Sequence, residues 1–269
     1  MAVPDDARRR PIVLAHRGGS GLAPENTLEA FRTGLACGAD GIELDVRLSC
    51  DGIAVVFHDE TLDRTTDGRG AVASLTADEL GVCDAGYRFA RDGRFPWRGR
   101  GCRIPRLRDV LSQVMQPALI EIKAPSAELT RVVIDDVRRA DADARVWIGS
   151  FHDAVLDDVR RLAPHIRRGA NPAAILAAAT GQADARSVDP GFSAFQVPES
   201  WDGTRIVSPA FVGRAHDLGA PVFVWTVDAL PDVERLLDWG VDGILTDRPD
   251  VVVPAVRARG RRAGRGEVS

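Results

Sequence analysis

Eight short strand-like runs recur along this chain with helical patterns between them, and that alternation limits the folds open to it. The runs fall at 12–15, 41–46, 118–123, 145–149, 166–169, 194–197, 222–226 and 243–245. Stretches with apolar residues at three- and four-residue spacing lie at 27–37, 129–140, 154–163, 173–180, 209–218 and 231–239. Parallel strands need a crossover long enough to hold a helix, so alternation of this kind predicts a parallel sheet. Spread over most of 269 residues, it predicts an α/β fold, a (β/α)8 TIM barrel whose site residues gather at the C-terminal ends of the strands. The first helix reads with Asn26 as its N-cap, Leu28, Phe31 and Leu35 at helical spacing, and Gly38 beyond its end.

A hydrophobic content of 45% is enough for one large core. A single barrel domain is therefore expected at 11–254, between an N-terminal arm at 1–10 and a tail at 255–269. The tail holds five Arg and one Glu without an apolar period, and is expected to be a disordered basic appendage. Residues 59–103 are rich in Gly, Arg and Asp, and only 76–80 reads as helical. They are expected to form a small insertion over the barrel mouth, with Tyr87, Phe89, Phe95 and Trp97 as wall candidates.

Within this frame the chemistry is concentrated at a few positions. Lys123 is the only lysine among 35 basic side chains, and an ammonium is a compact point charge that a planar guanidinium does not replace. Glu43 and Asp45 sit two apart in the strand-like Gly41-Ile42-Glu43-Leu44-Asp45-Val46 and so share a face. Two carboxylates on one face repel unless a cation joins them, which points to a hard divalent ion such as Mg2+ or Ca2+, with Glu121 as a further ligand. His16 and His58 follow strand-like runs and lead into loops, where two imidazoles can serve as general acid and general base. His152, His165 and His216 read as structural or surface residues.

The strings themselves resemble the glycerophosphodiester phosphodiesterase family. His16-Arg17-Gly18, Pro24-Glu25-Asn26-Thr27, Glu43-Leu44-Asp45, His58-Asp59, Leu62-Asp63-Arg64-Thr65-Thr66-Asp67-Gly68, Glu121-Ile122-Lys123, Trp225-Thr226-Val227-Asp228 and Thr246-Asp247-Arg248-Pro249 follow its usual order, over about residues 12–249. The resemblance implies metal-dependent hydrolysis of small-molecule glycerophosphodiesters, such as glycerophosphocholine and glycerophosphoethanolamine, to an alcohol and glycerol 3-phosphate. It implies His16 and His58 as acid and base, Glu43, Asp45 and Glu121 as metal ligands, Arg17 and Lys123 as phosphate-binding cations, and Trp225 as an aromatic beside the substrate. Ser49 and Cys50 depart from the family's more usual residues, in a hairpin turn. Two other readings are a relative that cleaves lysophospholipids on the same barrel and a non-catalytic binding protein. The polar 59–103 segment argues against the first and the full set of catalytic residue types against the second.

The overall charge of −4 and the lack of aromatic residues in the basic tail speak against a nucleic-acid partner. No apolar run is long enough for an integral membrane segment. Without a visible leader, and with Cys37, Cys50, Cys83 and Cys102 in no Cys-x-x-Cys pairing, the expectation is a cytoplasmic enzyme with free thiols. The pattern sets no oligomeric state.

Overall fold

The computed structural model describes residues 10–181 and 184–263. Its strands are β1 (Ile12–Ala15), β2 (Gly41–Leu48), β3 (Ala54–Val56), β4 (Ala118–Ile122), β5 (Val146–Gly149), β6 (Arg167–Arg168), β7 (Phe195–Pro198), β8 (Ser200–Trp201), β9 (Thr204–Arg205), β10 (Val222–Trp225) and β11 (Gly243–Thr246). Its helices are α1 (Leu28–Ala36), α2 (Ala77–Gly81), α3 (Leu107–Gln113), α4 (Ala127–Arg139), α5 (Asp153–Leu162), α6 (Pro172–Thr180), α7 (Ala185–Val188), α8 (Pro209–Asp217), α9 (Leu230–Asp238) and α10 (Pro249–Ala263).

Eight strands lie side by side in the order β6-β5-β4-β2-β1-β11-β10-β7, with β3 added antiparallel to β2. The pairings along that order are parallel. A parallel bridge between Gly169 and Ala194 joins the β6 end to the β7 end. The result is a helix-wrapped parallel sheet of the TIM-barrel type, built on the eight runs legible in the sequence.

The strand sequences explain the two-sided burial. Ile42, Leu44, Ile120 and Ile122 point outward into a buried cluster with Leu107, Val110, Leu129 and Val133 of the flanking helices. Residues alternate along a strand, so their neighbours face inward. There Leu14, Leu119, Ala194, Phe223 and Leu245 pack together. Burying a large apolar side chain is worth about 1.5–3 kcal/mol, and this is what obliges β2 and β4 to present their acidic residues on the opposite, inward face.

Several local features differ from the sequence reading. The N-cap of α1 is Thr27, whose hydroxyl accepts from Ala30 N at 3.2 Å. Asn26 instead has a positive φ of 60° and turns its side chain toward β2. Helix α10 runs through Ala263, so the first nine residues of the expected disordered tail are helical. Val252, Val253 and Val256 are buried and seed a helix whose arginine-rich continuation carries no apolar signal of its own. Residues 264–269, like 1–9 of the arm, lie outside the described residues. Residues 59–103 contribute to a separate apolar cluster of Val55, Phe57, Leu62, Val72, Ala77, Leu80, Ala85, Cys102 and Ile104. Helix α2 in this segment carries a reciprocal cap between Thr76 and Glu79. The four cysteines are free thiols.

Candidate active site

Strand register sets the acidic group. In the parallel pairing of β2 with β4, Asp45 lies directly opposite Glu121, and Glu43 opposite Leu119. Oxygen atoms of Glu43, Asp45 and Glu121 all lie within 4.8 Å of one another. Glu43 is 3% and Asp45 1% exposed. Burial, joined by the charge of Asp45, pushes the Glu43 carboxyl up to about 8. Three carboxylates this close, two of them out of water, form a poor site for holding protons apart and a good one for a hard cation with oxygen ligands. Asn26 fixes Asp45 from outside the trio, donating from Nδ2 to Oδ2 at 2.8 Å and accepting from Asp45 N at Oδ1 at 3.2 Å.

Both cations picked from the sequence join this group. Lys123, one residue past β4, donates from Nζ to Glu121 Oε1 at 2.8 Å and lies 3.6 Å from Asp45 Oδ1. Arg17 follows β1 in a left-handed conformation, φ 49° and ψ 29°. Its backbone N–H donates to Glu43 Oε2 at 2.9 Å and its Nη1 to Glu25 Oε1 at 3.0 Å. Gly18 makes this turn possible: its φ is 87°, and a Cβ there would lie 2.7 Å from the backbone of Ala30 and Phe31 in α1.

Each histidine of the predicted pair reaches the same region with a carboxylate on its Nδ1. His16 Nδ1 is 2.7 Å from Asp247 Oδ1, at the end of β11, and its Nε2 is 3.8 Å from Glu43 Oε2. Burial opposes charge on His16, but Glu43 and Asp247 outweigh it and raise its pKa. Burial likewise works against ionisation of Asp247, yet the His16 contact keeps it below the usual carboxylate range. An ionised carboxylate only accepts hydrogen bonds. Nδ1 of His16 therefore carries the proton, and Nε2 is the atom left for chemistry.

His58 arrives from the β2–β3 hairpin. Phe57 N donates to Asp45 O at 2.9 Å, and Arg47 Nε donates to His58 O at 2.7 Å. Its Nδ1 is 2.6 Å from Asp59 Oδ1. Although burial opposes it, pairing with Arg64 and His58 holds the Asp59 carboxyl at about 2.

These groups open onto one cavity of about 560 Å3. His16, Arg17, Glu43, His58, Glu121, Lys123 and Trp225 all line it. Asp45 lies behind that surface, in contact with Lys123 and Asn26. The same lining has an apolar part, in which Phe151, Ile175, Leu176, Trp201 and Ile206 join Trp225. Phe151 packs against Trp201 at 5.3 Å and edge-on to Trp225 at 5.9 Å between ring centroids. Tyr87, Phe89, Phe95 and Trp97 do not line it. The wall comes from the β5 loop, α6 and the β8–β9 hairpin, whose two-residue strands gave no periodic signal to read. Also unassigned from sequence were Glu25, Asn26, Asp59, Arg64 and Asp247. All five stood in the recognisable strings without a role in the site, and the partners of Glu25, Asn26, Arg64 and Asp247 lie 8 to 231 residues away. Asp59 neighbours His58, but only the folded loop turns the two side chains together.

Carboxylates, imidazoles and cations converging at the strand ends of a parallel α/β fold are the equipment of a hydrolase for anionic esters, and comparison with known proteins makes this a phosphoric diester hydrolase. Residues 16–251 match the Glycerophosphoryl diester phosphodiesterase family. The chain is 37% identical to a glycerophosphodiester phosphodiesterase of Caldanaerobacter subterraneus subsp. tengcongensis, covering 93% of this chain and 100% of that one. It is 33% identical to a probable glycerophosphodiester phosphodiesterase 2 of Mycobacterium tuberculosis, over 94% and 93% of the two chains. Among solved structures, an Oleispira antarctica phosphodiesterase in complex with the product sn-glycerol-3-phosphate superposes with a TM-score of 0.77, at 29% identity, over 92% of this chain and 97% of that one. This chain belongs to the glycerophosphoryl diester phosphodiesterase family, and its activity is that of a glycerophosphodiester phosphodiesterase. Among the described residues, no helix is long and apolar enough to cross a membrane.

Proposed function

We propose that this enzyme hydrolyses small glycerophosphodiesters, glycerophosphocholine and glycerophosphoethanolamine among them, to an alcohol and sn-glycerol 3-phosphate. The reaction needs a divalent cation and uses His16 and His58 as the acid–base pair. The observation that carries this reading is the convergence of both imidazoles, both cations and two of the three acidic residues on a single cavity.

Glu43, Asp45 and Glu121 would hold Mg2+ or Ca2+. Their close-set oxygens and the reluctance of Glu43 to ionise beside Asp45 fit such an ion. When bound, the cation supplies charge stabilisation to the phosphoryl oxygens and acidity to an attacking hydroxyl. The protein's own groups do the remainder. Arg17 and Lys123 face the non-bridging oxygens, where negative charge accumulates as the phosphodiester is attacked. One imidazole removes the nucleophile's proton and the other protonates the leaving alcohol. Trp225, with Phe151 and Trp201, offers the carbon skeleton of the substrate an apolar face.

We further propose that residues 59–103 border the mouth of the cavity on the His58 side. Arg64 supports this, since it binds both Glu25 and the Asp59 partner of His58. The cytoplasm remains the expected location and a small molecule the expected partner.

Phosphorus NMR of glycerophosphocholine turned over by the protein tests the reading. The expected result is growth of sn-glycerol 3-phosphate with free choline, and a Lys123→Arg rate at least tenfold lower, since a planar fork does not fill the place of a point charge. Choline phosphate with free glycerol would place cleavage at the other ester bond and overturn the proposal.

A further inference from the structure

Arg64 is not among the residues that line the cavity, yet its guanidinium ties together partners of two groups that are. Its Nε donates to Asp59 Oδ2 at 2.5 Å and its Nη2 to Asp59 Oδ1 at 3.0 Å. On its other edge, Nη1 donates to Glu25 Oε2 at 2.8 Å and Nη2 to Glu25 Oε1 at 2.6 Å. Each carboxylate has a second, site-facing partner: His58 Nδ1 on Asp59 at 2.6 Å, and Arg17 Nη1 on Glu25 at 3.0 Å.

We propose that Arg64 is a positioning residue for the reaction, fixing His58 and Arg17 relative to each other through the chain His58–Asp59–Arg64–Glu25–Arg17. The inference rests on the roles given above to His58 and Arg17.

Three physical points carry it. A guanidinium is a rigid planar fork that can grip two carboxylates at once, and each such grip fixes orientation as well as distance. The Arg64 side chain is 48% exposed, and ion pairs so placed add little to stability. Its two double contacts are thus poorly explained as a means of holding the fold. Displacement of a reacting group by about 1 Å can cost about 100-fold in rate. A contact that moves two site groups together therefore shows itself in turnover first.

Arg64 also lies in the 59–103 segment, separate from the β1–α1 connection that carries both Arg17 and Glu25, so the chain of contacts closes only when that segment is docked. Without Arg64, Asp59 retains only His58 and the carboxylate of Glu25 only Arg17 among these hydrogen bonds. Among the described residues no other side chain then holds either carboxylate in place.

The test compares wild type with Arg64→Ala and Arg64→Lys. Arg64→Ala is expected to lower kcat about 10- to 100-fold with a smaller change in KM and a thermal midpoint within a few degrees of wild type. Arg64→Lys, which cannot grip both carboxylates, is expected to recover less than a third of the lost rate. Added guanidinium ion is expected to restore part of the Arg64→Ala rate and to leave His58→Ala unchanged. Imidazole 15N signals provide a readout independent of turnover: those of His58 shift in Arg64→Ala, and those of exposed His165 stay. Wild-type kcat in Arg64→Ala overturns the proposal, as does a loss matched by a lowered midpoint and untouched by guanidinium. Unmoved His58 signals overturn it too. Moved signals in a protein that releases no glycerol 3-phosphate would uphold the positioning and overturn the reaction assigned to the site.

Discussion

His16→Ala and His58→Ala are each expected to lower kcat on glycerophosphocholine by about 10²–10⁴-fold, the usual contribution of a positioned acid or base. Both imidazoles line the cavity, and both have Nδ1 against a carboxylate, at 2.7 Å for His16 and 2.6 Å for His58. That arrangement engages Nδ1 and leaves Nε2 of each for the proposed proton transfer, so the expected loss on truncation is one of proton transfer rather than of the wall. Circular dichroism and the thermal midpoint should match wild type. Steady-state kinetics check the claim, and a variant within threefold of the wild-type rate removes its histidine from the reaction.

The second large effect concerns Glu43 and stability. Its pKa is raised in the folded protein, from an ordinary 4.5 to about 8. Between those values the native state holds a proton that the unfolded state has released, so stability falls as pH rises through the window. At about 1.4 kcal/mol per unit, and about 2–4 °C of Tm per kcal/mol for a chain of this size, the metal-free protein should lose several degrees or more between pH 5 and pH 8. A divalent cation held by the proposed ligands would replace that proton, so added Mg2+ or Ca2+ should raise Tm more at pH 8 than at pH 5. Glu43→Gln should flatten the metal-free slope. Calorimetry across this range gives the answer, and an unchanged slope in Glu43→Gln would assign the titration to another group.

The parts of the fold that could be read in the sequence are those whose signal is local. Most of the eight parallel strands are built mainly of apolar residues, β6 with its two arginines being the exception, and α1, α4, α6 and α8 carry side-chain caps. The acidic trio was legible because Glu43, Asp45 and Glu121 interrupt apolar strands, where a charged residue needs a reason. What escaped depends on distance along the chain. Asp247 reaches His16 across 231 residues, and Arg64 reaches Glu25 across 39. Asn26 looked like a helix cap because such residues usually are, and only the packed structure offers it Asp45 instead. Four aromatic residues in 59–103 point to an apolar wall there, but Phe151, Trp201 and α6 build it, each with only one or two informative residues. The last helix was lost to its own charge, since three buried valines begin it and arginines continue it.

The central claim is that one cavity combines a divalent cation with two imidazoles to cleave a glycerophosphodiester. The most direct test is the rate of sn-glycerol 3-phosphate release from glycerophosphocholine by chelator-treated protein, before and after Mg2+ or Ca2+ is returned. Negligible release that one of these ions restores is the predicted result. Full activity in the stripped protein, with metal content verified, would contradict the account and leave Glu43, Asp45 and Glu121 without their proposed role.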